Sequence, residues 1–262
     1  MLSPTERQSI ADALLRAEAT RQVIPQPSLA WPAMQIDDAY AVQHLWAQAR
    51  MARGARVIGH KIGLTSRAMQ KASKISEPDY GVMLDDALFR DGAQIAADRF
   101  IKPRLEVELA FVLGADLEGP RCEVHDVLRA TEFVTPALEI IDYRTQVPRA
   151  IVDTIADNAA FGAIVLGGRP VRPFDVDVRW VGATLSQNGV IEESGVSAAV
   201  MGHPAAGVAW LVRKLHAVGA RLECGHIVLA GSFTRPVDIA PGDVVCADFG
   251  PLGSVGVSFR AG

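Results

Sequence analysis

The segment Arg104-Leu105-Glu106-Val107-Glu108-Leu109-Ala110-Phe111-Val112 limits the possible folds more than any other in this chain. In a β-strand, residues i and i+2 share a face, about 6.5–7 Å apart. Leu105, Val107, Leu109 and Phe111 therefore make one apolar face. Glu106 and Glu108 share the other face with Ala110 and Val112, so the acidic side is apolar further along. Two adjacent carboxylates beside apolar neighbours repel and resist desolvation unless a cation compensates them. One outcome is a solvent-facing edge strand with two surface acids. The other brings in Glu139, from the apolar segment Ala137-Leu138-Glu139-Ile140-Ile141. Three carboxylates make an oxygen-only site for a hard cation, most simply Mg²⁺.

The rest of the chain has to house that strand. Ser3-Pro4-Thr5-Glu6 is a capping box with Pro at the first helical position, followed by Ile10, Leu14 and Leu15 at helical spacing. After a Pro-rich link, Asp37 opens a second helix with Tyr40, Val42, Leu45, Trp46 and Ala49 along one stripe, ending at Gly54. From residue 56 the texture changes to short apolar runs separated by Gly, Pro and Asp: 57–64, 105–113, 138–141, 163–166, 227–230, 244–247 and 255–259. Asn188-Gly189 has the chemistry of a type I′ hairpin turn. One helix interrupts the second half, from Pro204 to Gly219, with Val208, Leu211, Val212 and Leu215 inward. The expected architecture is α+β: a small helical N-terminal part, residues 1–55, and a β-rich domain, residues 56–262. A barrel or rolled mixed sheet is favoured, because seven or more short strands need protected edges.

Composition narrows the partners. Among 262 residues there are 26 Lys and Arg against 30 Asp and Glu, and no basic run or aromatic-basic stripe. Nucleic acid and anionic membranes are not expected partners. No stretch nears the roughly 18–20 apolar residues of a membrane span. The three cysteines are far apart and form no C-x-x-C, and the polar N-terminus has no signal-peptide core. A cytoplasmic location is expected.

Several other residues have chemical potential. Lys61 shares a strand face with Gly59 and Gly63, which leave room for a ligand to approach the backbone. It suits a substrate carboxylate or proton transfer, and equally a snorkelling surface lysine. His60 points the opposite way in a straight strand and reads as a packed histidine. Asp79, in the turn Ser76-Glu77-Pro78-Asp79-Tyr80-Gly81, is a base, a metal partner through water or a loop cap. Asp157-Asn158 reads as a turn. At Gly231-Ser232 a strand ends in backbone N–H groups and hydroxyls suited to an anion, or in a plain turn. There is no P-loop, H-E-x-x-H, G-x-S-x-G or strand-linked G-x-G-x-x-G.

Taken in order, Gly59-His60-Lys61-Ile62-Gly63-Leu64-Thr65-Ser66, Glu77-Pro78-Asp79-Tyr80-Gly81, Pro103-Arg104-Leu105-Glu106-Val107-Glu108, Pro136-Ala137-Leu138-Glu139-Ile140-Ile141-Asp142 and Asp153-Thr154-Ile155-Ala156-Asp157-Asn158-Ala159 resemble the 2-keto-4-pentenoate hydratase family. That family includes 2-oxohept-4-ene-1,7-dioate hydratase and 4-oxalocrotonate decarboxylase, within the fumarylacetoacetase superfamily. The resemblance runs from about residue 35 to the C-terminus. It implies a fumarylacetoacetase-like rolled fold, a bound Mg²⁺ or Mn²⁺, and a pentameric or decameric homo-oligomer. Position by position, it implies Glu106, Glu108 and Glu139 as metal ligands and Lys61 and Asp79 as catalytic residues. His60, Leu64, Gly231, Ser232, Arg144 and Arg149 complete the expected substrate-binding set.

The implied reaction is hydration of a 2-hydroxydienoate, or 2-oxo-enoate, in meta-cleavage aromatic catabolism. The favoured substrate is 2-oxohept-4-ene-1,7-dioate, giving 4-hydroxy-2-oxoheptanedioate. A seven-carbon diacid needs a cation for its far carboxylate, for which Arg144, Arg149 and Arg235 are the candidates. The alternatives are a 4-oxalocrotonate decarboxylase, a 2-oxopent-4-enoate hydratase, or a metal-binding partner subunit without turnover. One departure from the family bears on that choice. The resemblance implies a longer, more polar segment between the Ile-Asp and Asp-Thr motifs, where this chain has only Tyr143–Val152.

Overall fold

The structure, a computed structural model, describes residues 1–72 and 75–262. Three helices lead the chain: α1 (Pro4–Thr20), the short α2 (Pro27–Ala30) and α3 (Ile36–Met51). The expected capping box closes the start of α1. The Glu6 amide donates to Ser3 Oγ at 3.3 Å, and the Ser3 amide donates to Glu6 Oε2 at 2.7 Å. Ile10 and Leu14 pack with Val42 and Trp46 of α3, and with Leu84 and Ile155 from the later chain. The helical segment is thus bound to the body of the protein by apolar burial.

The strands follow as β1 (Val57–Gly63), β2 (Asp79–Leu84), β3 (Leu88–Arg90), β4 (Ala93–Ala96), β5 (Arg104–Leu113) and β6 (Thr131–Ile141), with α4 (Arg67–Ala72) after β1 and α5 (Val124–Ala130) before β6. Next come α6 (Ile151–Ala156), β7 (Phe161–Leu166), β8 (Gly182–Gln187), β9 (Val190–Val196) and α7 (Pro204–Ala217). The chain closes with β10 (Ile227–Leu229), β11 (Val237–Asp238), β12 (Val244–Asp248) and β13 (Ser254–Arg260). Among the described residues they form two mixed sheets. The larger has the order β2-β1-β10-β5-β6-β7-β3, with β11 added on β5, and the smaller has β4-β13-β12-β8-β9. This is the expected α+β class with mixed sheets, but neither sheet closes into a barrel.

The larger sheet protects its β2 edge another way. At β2, the Asn158 side chain pairs with the strand's backbone: Oδ1 accepts from the Val82 amide at 2.8 Å and Nδ2 donates to the Val82 carbonyl at 2.9 Å. A side-chain amide there does the work of a neighbouring strand. Asn188 and Gly189, at φ 54° and 82°, form the expected hairpin turn between β8 and β9. On α7, Val208, Leu211, Val212 and Leu215 are all buried. No helix among the described residues is long and apolar enough to cross a membrane.

Two local expectations change. Asp79 starts strand β2 and does not cap a loop, because β1 recruits the segment through Gly63↔Asp79 and Lys61↔Gly81 pairing. Strand β5 is central: it is flanked by β10 and β6, and Leu105, Val107, Leu109 and Phe111 are buried. The edge-strand reading of Glu106 and Glu108 therefore does not hold. Since β5 supports the site from its apolar face, Phe111→Ala is expected to destabilise the fold by about 3–5 kcal/mol. Urea unfolding should show this as a lowered midpoint with an unchanged slope.

Candidate active site

Glu106 and Glu139 are direct register partners across β5 and β6, and Glu108 lies two residues further on the same face. One carboxylate oxygen from each lies within 4.8 Å of the other two. Glu108 and Glu139 are fully buried, and Glu106 is half-buried at a cavity wall. The Gly231 amide donates to Glu108 Oε2 at 2.7 Å, while Oε1 has no partner. Gly231 must be glycine: its φ is 120°, and a Cβ would collide with the Thr65 hydroxyl.

Lys61 enters from β1. Its Nζ lies 3.1 Å from Glu139 Oε1 and donates to the Ala159 carbonyl at 3.0 Å. The approach to Glu139 is an ion pair whose angle leaves both carboxylate oxygens without an aligned donor. Asp79, on the adjacent strand, is fully buried, and neither of its oxygens has a hydrogen-bond partner. A Cβ on Gly63, between them, would collide with Asp79 Oδ1. The glycine in the Lys-x-Gly pattern thus makes room for a carboxylate of this chain, as well as for any ligand.

The carbonyl that receives Lys61 is set by an unusual turn. Asn158, Ala159 and Ala160 have φ values of 51°, 50° and 60°, three consecutive left-handed residues without a glycine. Each costs roughly 1–2 kcal/mol relative to a right-handed residue. The Asn158 pairing to Val82 and the Lys61–Ala159 contact hold the turn in place. Strain of this kind concentrates at functional sites. The Asp-Asn pair signals a turn in sequence, but not its hand or its role.

Electrostatics define what the site lacks. Burial, with the charge of Glu139 adding, pushes the Glu106 carboxyl up to about 7. Burial and the two neighbouring glutamates hold Glu108 well above the ordinary carboxylate range. Glu139 and Asp79 are also raised by burial, against the pull of Lys61. For Lys61, burial works against the ammonium, but the surrounding acids outweigh it and keep the proton on. Four acids face one lysine at close range, and Oε1 of Glu108 and both carboxylate oxygens of Glu139 and of Asp79 lack hydrogen-bond donors. An oxygen-only donor set with uncompensated negative charge fits a hard divalent cation such as Mg²⁺ or Mn²⁺.

A cavity of about 300 Å³ opens onto this cluster. Lys61, Leu64, Asp79 and Glu106 line it together with Tyr143, Val147, Arg149 and Ile151. The remaining expected substrate contacts lie elsewhere. His60 is on the opposite face of β1, edge-on to Tyr80 and His226, because strand alternation separates it from Lys61. Arg144 is locked to Asp157 and the Phe161 carbonyl, and it lines a separate cavity of about 310 Å³ against α1 and α3. The Ser232 hydroxyl donates to the carbonyls of Val107 and Thr234, tying its loop to β5. Gly231 meets the cluster through its amide alone. Arg235 pairs with Glu193 at the surface.

The fold and the carboxylate cluster define a metal-site enzyme scaffold, and comparison with known proteins identifies its family. Residues 49–259 match the family model described as fumarylacetoacetate (FAA) hydrolase C-terminal. The chain is 53% identical over 257 residues to 2-oxo-hept-4-ene-1,7-dioate hydratase of Escherichia coli, covering 95% of this chain and 96% of that protein. It is 37% identical to 2-keto-4-pentenoate hydratase of Paraburkholderia xenovorans (strain LB400), over 99% and 97% of the two chains. In three dimensions it superposes on 4-oxalocrotonate decarboxylase from Pseudomonas putida G7, complexed with magnesium and adipate, with a TM-score of 0.97, 33% identity and 99% coverage of both chains. The chain belongs to the fumarylacetoacetate hydrolase family, in the group that holds these hydratases and the decarboxylase.

A metal requirement of this kind has a pH signature. An acid whose folded pKa is raised stabilises the fold below its unfolded value, about 4.5, and loses that contribution as pH rises through the folded value. For Glu106 the window runs from about 4.5 to about 7. Chelator-treated protein should therefore lose thermal stability across that window, and saturating Mg²⁺ should suppress the loss. Glu139→Gln should abolish calorimetric Mg²⁺ binding. Undiminished binding would exclude Glu139 as a ligand.

Proposed function

We propose that this protein is a divalent-metal-dependent hydro-lyase that adds water to a 2-hydroxydienoate. The favoured reaction converts 2-oxohept-4-ene-1,7-dioate to 4-hydroxy-2-oxoheptanedioate. The observation that supports it best is the convergence of Glu106, Glu108, Glu139, Lys61 and Asp79 on one cavity. The 53% identity to a hydratase of that substrate, over nearly the whole chain, agrees with it.

Glu106, Glu108 and Glu139 would hold the cation, with the Gly231 amide fixing Glu108 and Lys61 fixing Glu139. When bound, the cation supplies Lewis acidity and a chelation point for the substrate's carboxylate and 2-oxygen. Protonation at C5, with loss of the 2-hydroxyl proton, turns the dienoate into an α,β-unsaturated 2-oxo acid. Water then adds at C4 and a proton at C3. Asp79 suits the proton transfer, because burial raises its pKa and its oxygens are free of hydrogen-bond donors. Lys61 stays an ammonium and steadies the negative charge that develops on the substrate oxygen. Exposed Phe174, Trp180, Val190 and Ile191 offer apolar surface for the homo-oligomer this reading expects, a pentamer or decamer. A cytoplasmic location goes with such a catabolic role.

The decisive assay supplies freshly generated 2-hydroxydienoates of five to seven carbons with Mg²⁺, following ultraviolet absorbance and product mass. Loss of the conjugated chromophore with a gain of one water is expected. The superposition on 4-oxalocrotonate decarboxylase supports a second reading, in which the same chelate loses CO₂. Carbon dioxide release without water uptake would establish that one. Asp79→Asn should lower kcat by about 100-fold or more while Mg²⁺ binding persists. Lys61→Ala with unchanged turnover would remove Lys61 from the mechanism.

A further inference from the structure

We propose that Arg149 is the specificity residue that receives a second carboxylate at the far end of the substrate, so that the site selects dicarboxylates over monoacids. This rests on the preceding reading only in placing the substrate's 2-oxo acid end at the glutamate cluster.

Arg149 comes from the segment just before α6. Its Cζ lies 3.8 Å from the centroid of the Tyr143 ring, a stacked contact that sets the plane of the guanidinium. The nearest acid is Asp157, but Nη1 is 3.7 Å from its Oδ2, beyond hydrogen-bond length. Asp157 is already satisfied by Arg144. Its Oδ2 accepts from the Arg144 amide at 2.9 Å, and its Oδ1 accepts from Arg144 Nε. Two guanidiniums thus face one carboxylate, and Arg144 holds it. Arg149 is left with its side chain 11% exposed and a buried Nη1 that has no acceptor.

Arg149 thus has only a long ion pair to Asp157 and a buried donor without a hydrogen-bond partner, an arrangement that is costly unless an anion meets it. The other cations on the cavity wall are held more closely: Lys61 by Glu139 and the Ala159 carbonyl, and Arg104 by Asp238, 2.9 Å from its Nε, and by the Pro236 carbonyl. Arg149 is therefore the least engaged cation among the described lining residues. It lines the same cavity as Lys61, Asp79 and Glu106, near enough to Asp79 to act on that carboxyl, and Val147 and Ile151 belong to the same wall. A ligand held by its 2-oxo acid end at the glutamates would share this cavity with the guanidinium fork. A carboxylate is the planar anion that matches such a fork in bidentate fashion. A monoacid would leave Arg149 unpaired, and an unpaired buried donor discriminates strongly against the ligand that fails to meet it.

The test uses full-length protein with Mg²⁺, and calorimetric binding of two unreactive saturated ligands, 2-oxoheptanedioate and 2-oxopentanoate. The wild type is expected to prefer the dioate, and Arg149→Met should cut the dioate-to-monoacid affinity ratio by about 100-fold. Arg149→Lys, which keeps the charge but loses the fork, should fall in between. Circular dichroism and thermal melting confirm that each variant folds, and Arg149→Gln serves if Arg149→Met does not. A wild type without preference for the dioate overturns the proposal. So does a variant in which both affinities fall in proportion, which would mean that Arg149 only supports Asp157 and α6. The ratio of kcat/KM for the seven-carbon and five-carbon dienoates should move with the binding ratio. If the wild type binds both ligands but hydrates no dienoate, the hydratase reading fails, while the affinity ratio still decides the role of Arg149.

Discussion

Glu106, Glu108 and Glu139 project from two paired strands that are buried on both faces, and their mutual repulsion must be offset by whatever surrounds them. Much of the local structure answers that demand. Strand β1 inserts Lys61 against Glu139, β10 ends where the Gly231 amide can reach Glu108, and the left-handed turn at 158–160 aims a carbonyl at the Lys61 ammonium. These groups are fewer than the negative charges they face. A hard cation supplies the remainder, so metal binding and the integrity of this part of the fold are one free-energy problem.

The cavity wall has two kinds of lining. Around the glutamates, strands and a strained turn hold every group, and that rigidity suits a metal site. The segment 143–151 contributes the guanidinium of Arg149, stacked on Tyr143. Segments of this type change length at little cost to the fold.

Much of this was legible in the residues. Alternation in 104–112 placed Glu106 and Glu108 on one face, and an apolar second segment supplied Glu139 as their partner. The capping box at Ser3, the Asn188-Gly189 hairpin and the stripe on α7 rest on local chemistry, and each is where the sequence places it. The strand character of 79–84 was hidden, since Pro78 and Asp79 have turn propensity and only pairing with β1 overrides it. Strand β6 was legible only in its second half. Pro136 sits inside it, tolerated because β7 pairs from Ala137 onward and asks no amide of it.

Sequence alone determined which face of each strand a side chain takes, since that depends on a two-residue period and on nothing remote. It thereby settled the acid pair, and it set His60 apart from Lys61. Tertiary structure decided which residues from distant segments meet. It made β5 central and not an edge, set Glu139 opposite Glu106, and tied Arg144 to Asp157 so that Arg149 alone of the two reaches the cavity. Those outcomes turn on strand register and on competition for a single carboxylate, and both are properties of contacts between segments that no local pattern encodes.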